Sequence, residues 1–257
     1  KLSKRSTKKL LEENFSLPAS VGSVVAMEQR SAQTMVTAYE ELRQFVRKQE
    51  KVNVDETAYP QQSGNGWLWV AATETVALFD HATSRGGSIV RGMLGNDYDG
   101  IVSSDRYAVY NYWPEHKRQL CWSHLIRDFR RIASRQGSSG PIGESLLGQA
   151  EKLFHQWHRL KSGNITHSTF RSYLSTLRTE IRHYLQLGAA CDHPRTVATC
   201  LNLLEHETAM YSFGRIEGIE PTNNHAERMI RHAVQWRNSS YGVQSAAGST
   251  FLERSLT

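Results

Sequence analysis

The chain has 257 residues, 39% of them hydrophobic, with six Trp and ten Tyr, which is enough to bury a core and too aromatic for a disordered segment. Lys and Arg number 31 against 25 acids, a formal net charge of +6 that suits a polyanionic partner and equally suits a solvated basic surface. Three cysteines (Cys121, Cys191, Cys200) form no CxxC pair and leave an odd count, which argues against a disulfide scaffold and for a reducing, intracellular setting; no apolar run approaches the ~20 residues of a membrane span.

No signal-peptide pattern opens the chain, which starts at Lys1 and stops inside an amphipathic run from Phe251 to Leu256. It reads as a fragment of a longer protein. The first nine residues carry Lys1, Lys4, Arg5, Lys8 and Lys9 and no acid. A short helical pattern through Leu10 and Leu11 follows, then a break at residues 16–20, then one long helix from about Val21 to Lys48. A basic arm before helix, turn and helix fits a DNA-binding helix-turn-helix, and fits a connector from a preceding domain as well.

Val52 and Val54 alternate with polar neighbours, and a turn cluster of Pro60, Gly64, Asn65 and Gly66 comes soon after. Asp55 is therefore expected at the carboxyl end of a short strand, where ligands gather in α/β sheets. Residues 67–72 and 75–79 predict two more strands, with only Thr73-Glu74 between them, hence a hairpin. A short helix is expected over 88–94. A fourth strand over 100–104, reached through that helix, should run parallel to its neighbour and end at Asp105. A fifth strand over 118–122 leads into a helix from about His124 to Arg135. Leu125, Phe129, Ile132 and Ala133 make its apolar stripe, and Arg127, Arg130, Arg131 and Arg135 crowd its other side.

Past the Gly/Ser-rich residues 137–140 the pattern becomes wholly helical to about residue 219. A last helix begins near Asn224 with Ala226, Met229, Ile230, Ala233 and Val234 on one face and Glu227 at the edge of that stripe. The expected organisation is a basic N-terminal helical segment (1–50), an α/β domain in two parts (51–137 and 220–257) and an all-helical insertion (138–219).

Two aspartates at strand ends and a glutamate on a later helix suit a hard-cation site, because clustered carboxylates repel unless cations sit between them. Two such ions roughly 3.5–4 Å apart assist in-line displacement at phosphorus. Each acid also has a plainer reading. Asp105 fits an N-cap for a helix starting at Arg106, and Glu227 fits a capping box with Asn224 or an ion pair with Arg231.

Five ordered motifs, Val54-Asp55-Glu56-Thr57, Trp67-Leu68-Trp69-Val70, residues 104–110, residues 121–129 and Asn223-Asn224-His225-Ala226-Glu227-Arg228, together resemble the transposases of the insertion-sequence-66 family. The resemblance implies a ribonuclease-H-like fold, a mixed five-stranded sheet flanked by helices, with the helical insertion before the last catalytic helix. It implies Asp55, Asp105 and Glu227 as catalytic residues and as ligands of two Mg²⁺ ions, with Mn²⁺ as substitute. It further implies cleavage at transposon ends and joining of the freed 3′-OH to target DNA. Double-stranded DNA, as transposon ends and as target, is then the partner, with His124, Arg127, Arg130, Arg131, Arg228 and Arg231 holding it. A homo-oligomer on the DNA, accessory proteins of the same element and a cytoplasmic, nucleoid-associated bacterial setting are expected, and no membrane. Glu56 adjoins Asp55 but should face the other side of its strand, a weaker ligand candidate. Zinc at Cys121 and His124 would need two more ligands, and none is suitably spaced. A related nuclease or resolvase that never joins ends, and a catalytically silent transposase-derived DNA-binding protein, stand as alternatives.

Overall fold

A computed structural model describes residues 2–62 and 64–257; Lys1, the first cation of the basic arm, and Ser63 lie outside them. The fold is mixed α/β, with five strands in the order β3-β2-β1-β4-β5 and helices around them. The chain divides into two compact units: Lys1–Ser103 with Tyr107–Tyr112 and Asn224–Thr257, and Ser104–Arg106 with Trp113–Asn223.

In the first unit, α1 (Lys4–Phe15), α2 (Val21–Thr34) and α3 (Val36–Arg47) precede the sheet. Ser3 and Ser20 cap α1 and α2 by accepting the backbone N–H of Ser6 and Ser23. The single long helix expected over 21–48 is instead two, because the chain turns at Met35. The turn lets α2 pack on the last helix of the unit and α3 on the sheet edge.

Strand β1 (Lys51–Ala58) pairs antiparallel with β2 (Trp67–Ala72), which pairs antiparallel with β3 (Ala77–Ala82). The hairpin loop is longer than its sequence suggests. Thr73 takes Val76 into a tight turn through both its N–H and its hydroxyl, so β3 starts at Ala77 rather than Thr75. After α4 (Gly87–Leu94), strand β4 (Ile101–Ser104) lies parallel to β1, as a connection through a helix requires.

Antiparallel partners share a face, so the register puts Asn53, Asp55 and Thr57 on one side with Ala72, Val70 and Leu68. That side is covered by α11 (Asn224–Ser240) and α12 (Ala246–Leu256): Ala226, Ile230, Ala233 and Leu252 close over Leu68, Val70, Ala72 and Phe79. The outer edge of β3 is blocked as well. Phe79 N–H donates to Thr257 Oγ1 (3.0 Å), His81 N–H to Glu253 Oε1 (3.0 Å), and Tyr39 O–H to Phe79 O (2.6 Å). An edge strand so covered offers few free groups to another chain.

The second unit holds β5 (Arg118–Leu120), α5 (Trp122–Ala133), α6 (Ser139–Lys161), α7 (His167–Ala189), α8 (Pro194–Glu205) and two short helices, α9 (Glu207–Met210) and α10 (Ser212–Arg215). Each element from α6 to α10 is a helix, joined by short turns. Its core centres on Trp122, fully buried, with Phe129, Phe154, Tyr211 and Phe213 around the indole and Met210 O accepting its N–H at 2.7 Å. Strand β5 is shorter than expected and α5 begins at Trp122, not His124.

Candidate active site

Asp55 sits in the antiparallel ladder opposite Val70, half-buried, and its Oδ1 accepts the N–H of Glu56 at 2.9 Å. The parallel pairing on its other side stops earlier, at Asn53↔Ser103. Asp55 therefore lies just beyond the parallel pairing with β4, but not at the end of β1 as its sequence suggests, because the antiparallel pairing with β2 carries that strand on to Ala58.

Glu56 faces the opposite side, with Trp69. Its side chain is only 2% exposed, and both oxygens are engaged: Oε1 accepts from Arg85 at 2.8 and 3.1 Å, and Oε2 from the Tyr110 hydroxyl at 2.5 Å. The Arg85 guanidinium is itself sandwiched between Trp67 and Tyr107, 4.3 and 4.1 Å from the ring centres. Strand alternation alone separates Asp55 from this structural pair.

Glu227 lies in the first turn of α11, half-buried at the edge of the stripe formed by Ala226, Ile230 and Ala233. Two contacts set the direction of α11 over the sheet. His225 Nε2 is 2.7 Å from Thr73 O, just past the end of β2, and Arg237 donates to Thr57 Oγ1 (3.3 Å) and Ala58 O at the far end of β1. Since Ala72 is the register partner of Asn53, α11 runs alongside β1, and Glu227, two residues beyond His225, falls at the Asn53–Asp55 end of the strand. Asp55 points to the same face.

Asp105 directly follows β4, half-buried. It caps no α-helix: the chain after it makes a single 3₁₀ turn over Ala108–Tyr110, preceded by Tyr107. Instead its backbone is held from several directions. Arg118 donates to Asp105 O (3.0 Å) and, more weakly, to Ser104 Oγ (3.4 Å), and Ser104 O accepts the Cys121 N–H (2.8 Å). Arg106 reaches Asp128 (2.9 Å) and Asn202 (2.6 Å). Arg118 is completely buried, and no motif marks it; the hint in the sequence is a cation at the start of the strand run Arg118-Gln119-Leu120-Cys121-Trp122, which is otherwise uncharged.

Cys121 is a buried thiol whose Sγ accepts the Asn223 N–H at 3.1 Å, and His124 is half-buried in the first turn of α5. Arg127, Arg130 and Arg131 stand exposed on α5, away from Leu125, Phe129 and Ile132; Arg131 also reaches Asp128 at 2.9 Å while its side chain stays 70% exposed. Arg228 and Arg231 are exposed on α11, away from its buried stripe.

A five-stranded mixed sheet with acids within its first strand, just after its fourth, and on the helix packed over the first two strands defines a ribonuclease-H-like α/β protein. The family described as Transposase IS66 family matches residues 4–250, and the chain belongs to it. The match reaches back through α1, α2 and α3. Neither the curated proteins nor the solved structures contain a match.

Proposed function

We propose that this transposase cleaves DNA at the ends of its element and joins the freed 3′-OH to target DNA, with Asp55, Asp105 and Glu227 as the catalytic carboxylates. The observation that carries the reading is the register: Asp55 and Asp105 each follow the Asn53↔Ser103 pair by two residues, and α11 brings Glu227 along the face Asp55 points to.

The donor set fits a hard divalent cation. Carboxylate oxygens select Mg²⁺, or Mn²⁺ in its place, over zinc. Asp55, Asp105 and Glu227 would hold two such ions, whose bound charge would activate the attacking oxygen and stabilise the leaving one.

The residues of the chain supply position. Asp55 is fixed by its ladder with β2, and Asp105 by the Arg118 guanidinium beneath its carbonyl. Arg127, Arg130 and Arg131, with Arg228 and Arg231, offer guanidinium forks for phosphates, and His124 stands one turn before Arg127. In the first step a water oxygen forms a bond to the scissile phosphorus and the 3′ oxygen of the element end leaves, taking up a proton. In the second step that 3′-OH attacks a target phosphodiester. One P–O bond forms as one breaks, so joining needs no external energy source.

The test is strand transfer with a labelled element end and Mg²⁺, comparing the chain with Asp55→Asn and Asp105→Asn. Both variants should still bind DNA and lose joining by more than about a hundredfold, beyond the 10- to 100-fold that losing a partner behind a metal ligand costs. Retained joining would refute the assignment. Cut products without joined ones would favour a nuclease or resolvase. Calorimetric titration with Mn²⁺ showing no binding would favour a silent DNA-binding protein.

A further inference from the structure

We propose that the cavity beside the turn between α11 and α12 receives one unpaired DNA base, with Tyr241 as its stacking face. This rests on the DNA reading above and goes beyond the three acids.

Tyr241 is 83% exposed and sits at φ 56°, in the left-handed region that bulky residues rarely occupy. The ring is nevertheless not on a loose tip. Val243 N–H donates to Pro60 O (2.9 Å) and Val243 O accepts from Gln62 N–H (2.7 Å), so the turn is bonded to the loop after β1. Gly242, at φ 99°, lies so close to that loop that a Cβ on it would stand 2.2 Å from Pro60 O. The fold thus braces a large aromatic ring in the open, where it makes no contribution to the core.

Beside it lies a cavity of about 380 Å³. Val243 and Phe251 give it apolar walls, and Ser240 and Gln244 bring a hydroxyl and an amide. Flat apolar surfaces with a few hydrogen-bonding groups suit a nucleobase, and the volume lies in the range of small-molecule sites. A base inside a duplex is stacked on both faces, so only one out of the stack can enter. Lys4 lines the cavity, paired with Glu28 at 2.9 Å, and Arg5, Lys8 and Lys9 follow on α1. These cations would hold the phosphates on either side of the extruded nucleotide.

The test uses fluorescence anisotropy with two labelled duplexes of about 20 base pairs, one fully paired and one with a single unpaired adenosine bulge. The bulged duplex should bind about fivefold to a hundredfold more tightly, the span of base–aromatic stacking. Tyr241→Ala should abolish that preference and leave affinity for the paired duplex unchanged, while Tyr241→Phe keeps it. Because the side chain is exposed, both variants should fold. Equal affinity for the two duplexes, or a preference that survives Tyr241→Ala, would overturn this proposal alone. Failure to bind either duplex at low salt would overturn the DNA reading, and this one with it.

Discussion

Asn53 on β1 and Ser103 on β4 are register partners, the last pair in the parallel ladder between these strands. Asp55 follows the first by two residues and Asp105 follows the second by two. The two acids are fixed by different means. Asp55 remains inside a β-ladder on its β2 side, whereas Asp105 has left its strand and depends on the buried Arg118 and the Cys121 N–H for its backbone position. Several consequences can be measured.

Glu56 should prove structural. Glu56→Ala leaves the Arg85 guanidinium and the Tyr110 hydroxyl without their carboxylate, and unfolding free energy in urea should fall by about 2–4 kcal/mol. Mn²⁺ affinity measured by calorimetry should stay within about threefold of the parent, since the side chain faces away from Asp55. A variant that folds normally but no longer binds Mn²⁺ would require the ligand set to be redrawn.

Arg118 should behave as a positioning residue for Asp105. Arg118→Leu removes a buried cation and strips Asp105 O of a donor, so stability should drop by about 3 kcal/mol or more and strand transfer should fall with it. Arg127→Ala, at an exposed position on the neighbouring helix, should change stability by no more than about 0.5 kcal/mol. Similar losses in both variants would show that burial does not distinguish them.

Burial, reinforced by the nearby Asp80 carboxylate, pushes the Glu253 carboxyl up to about 7; the His81 N–H and the cations Arg254 and Arg43 only partly offset this. The folded state therefore holds this proton more tightly than the unfolded chain does. Its contribution to stability is fully present below about pH 4.5 and is lost as pH rises through about 7. Glu253→Gln keeps an acceptor for the His81 N–H and removes the charge, so it should raise thermal stability at pH 8, by about 1–3 kcal/mol, and have little effect at pH 4.5. Melting curves at the two pH values decide it, and an equal shift at both would mean that packing rather than charge is responsible.

The arginines of α5 should show themselves in salt dependence. Each phosphate contact contributes about 0.9 to the slope of log affinity against log salt on duplex DNA. Replacing Arg127, Arg130 and Arg131 with Ala should therefore lower the slope by up to about 3 and weaken binding to all sequences alike. An unchanged slope would place the DNA elsewhere on the protein.

Local pattern was sufficient for much of the fold. Alternation of Val52 and Val54, the helix-linked strand over 100–104 and the stripe of Ala226, Ile230 and Ala233 each follow from side-chain periodicity, which a short stretch of chain carries by itself. The same alternation already separated Asp55 from Glu56. Folding decided the rest, because it depends on partners far away in the chain. Periodicity predicts one helix over 21–48, but contacts of α2 with α12 and of α3 with β3 go with a turn at Met35. Asp105 has the residue type of a helix cap, yet Arg118, thirteen positions later, holds its carbonyl in a non-helical segment. No local pattern singles out Tyr241, whose turn is pinned by the distant loop at Pro60 with the ring left in solvent. The sequence by itself determined which residues alternate and which cluster at element ends; only the tertiary structure decided which of them meet, since pairing energy comes from neighbours brought together by packing and not from neighbours along the backbone.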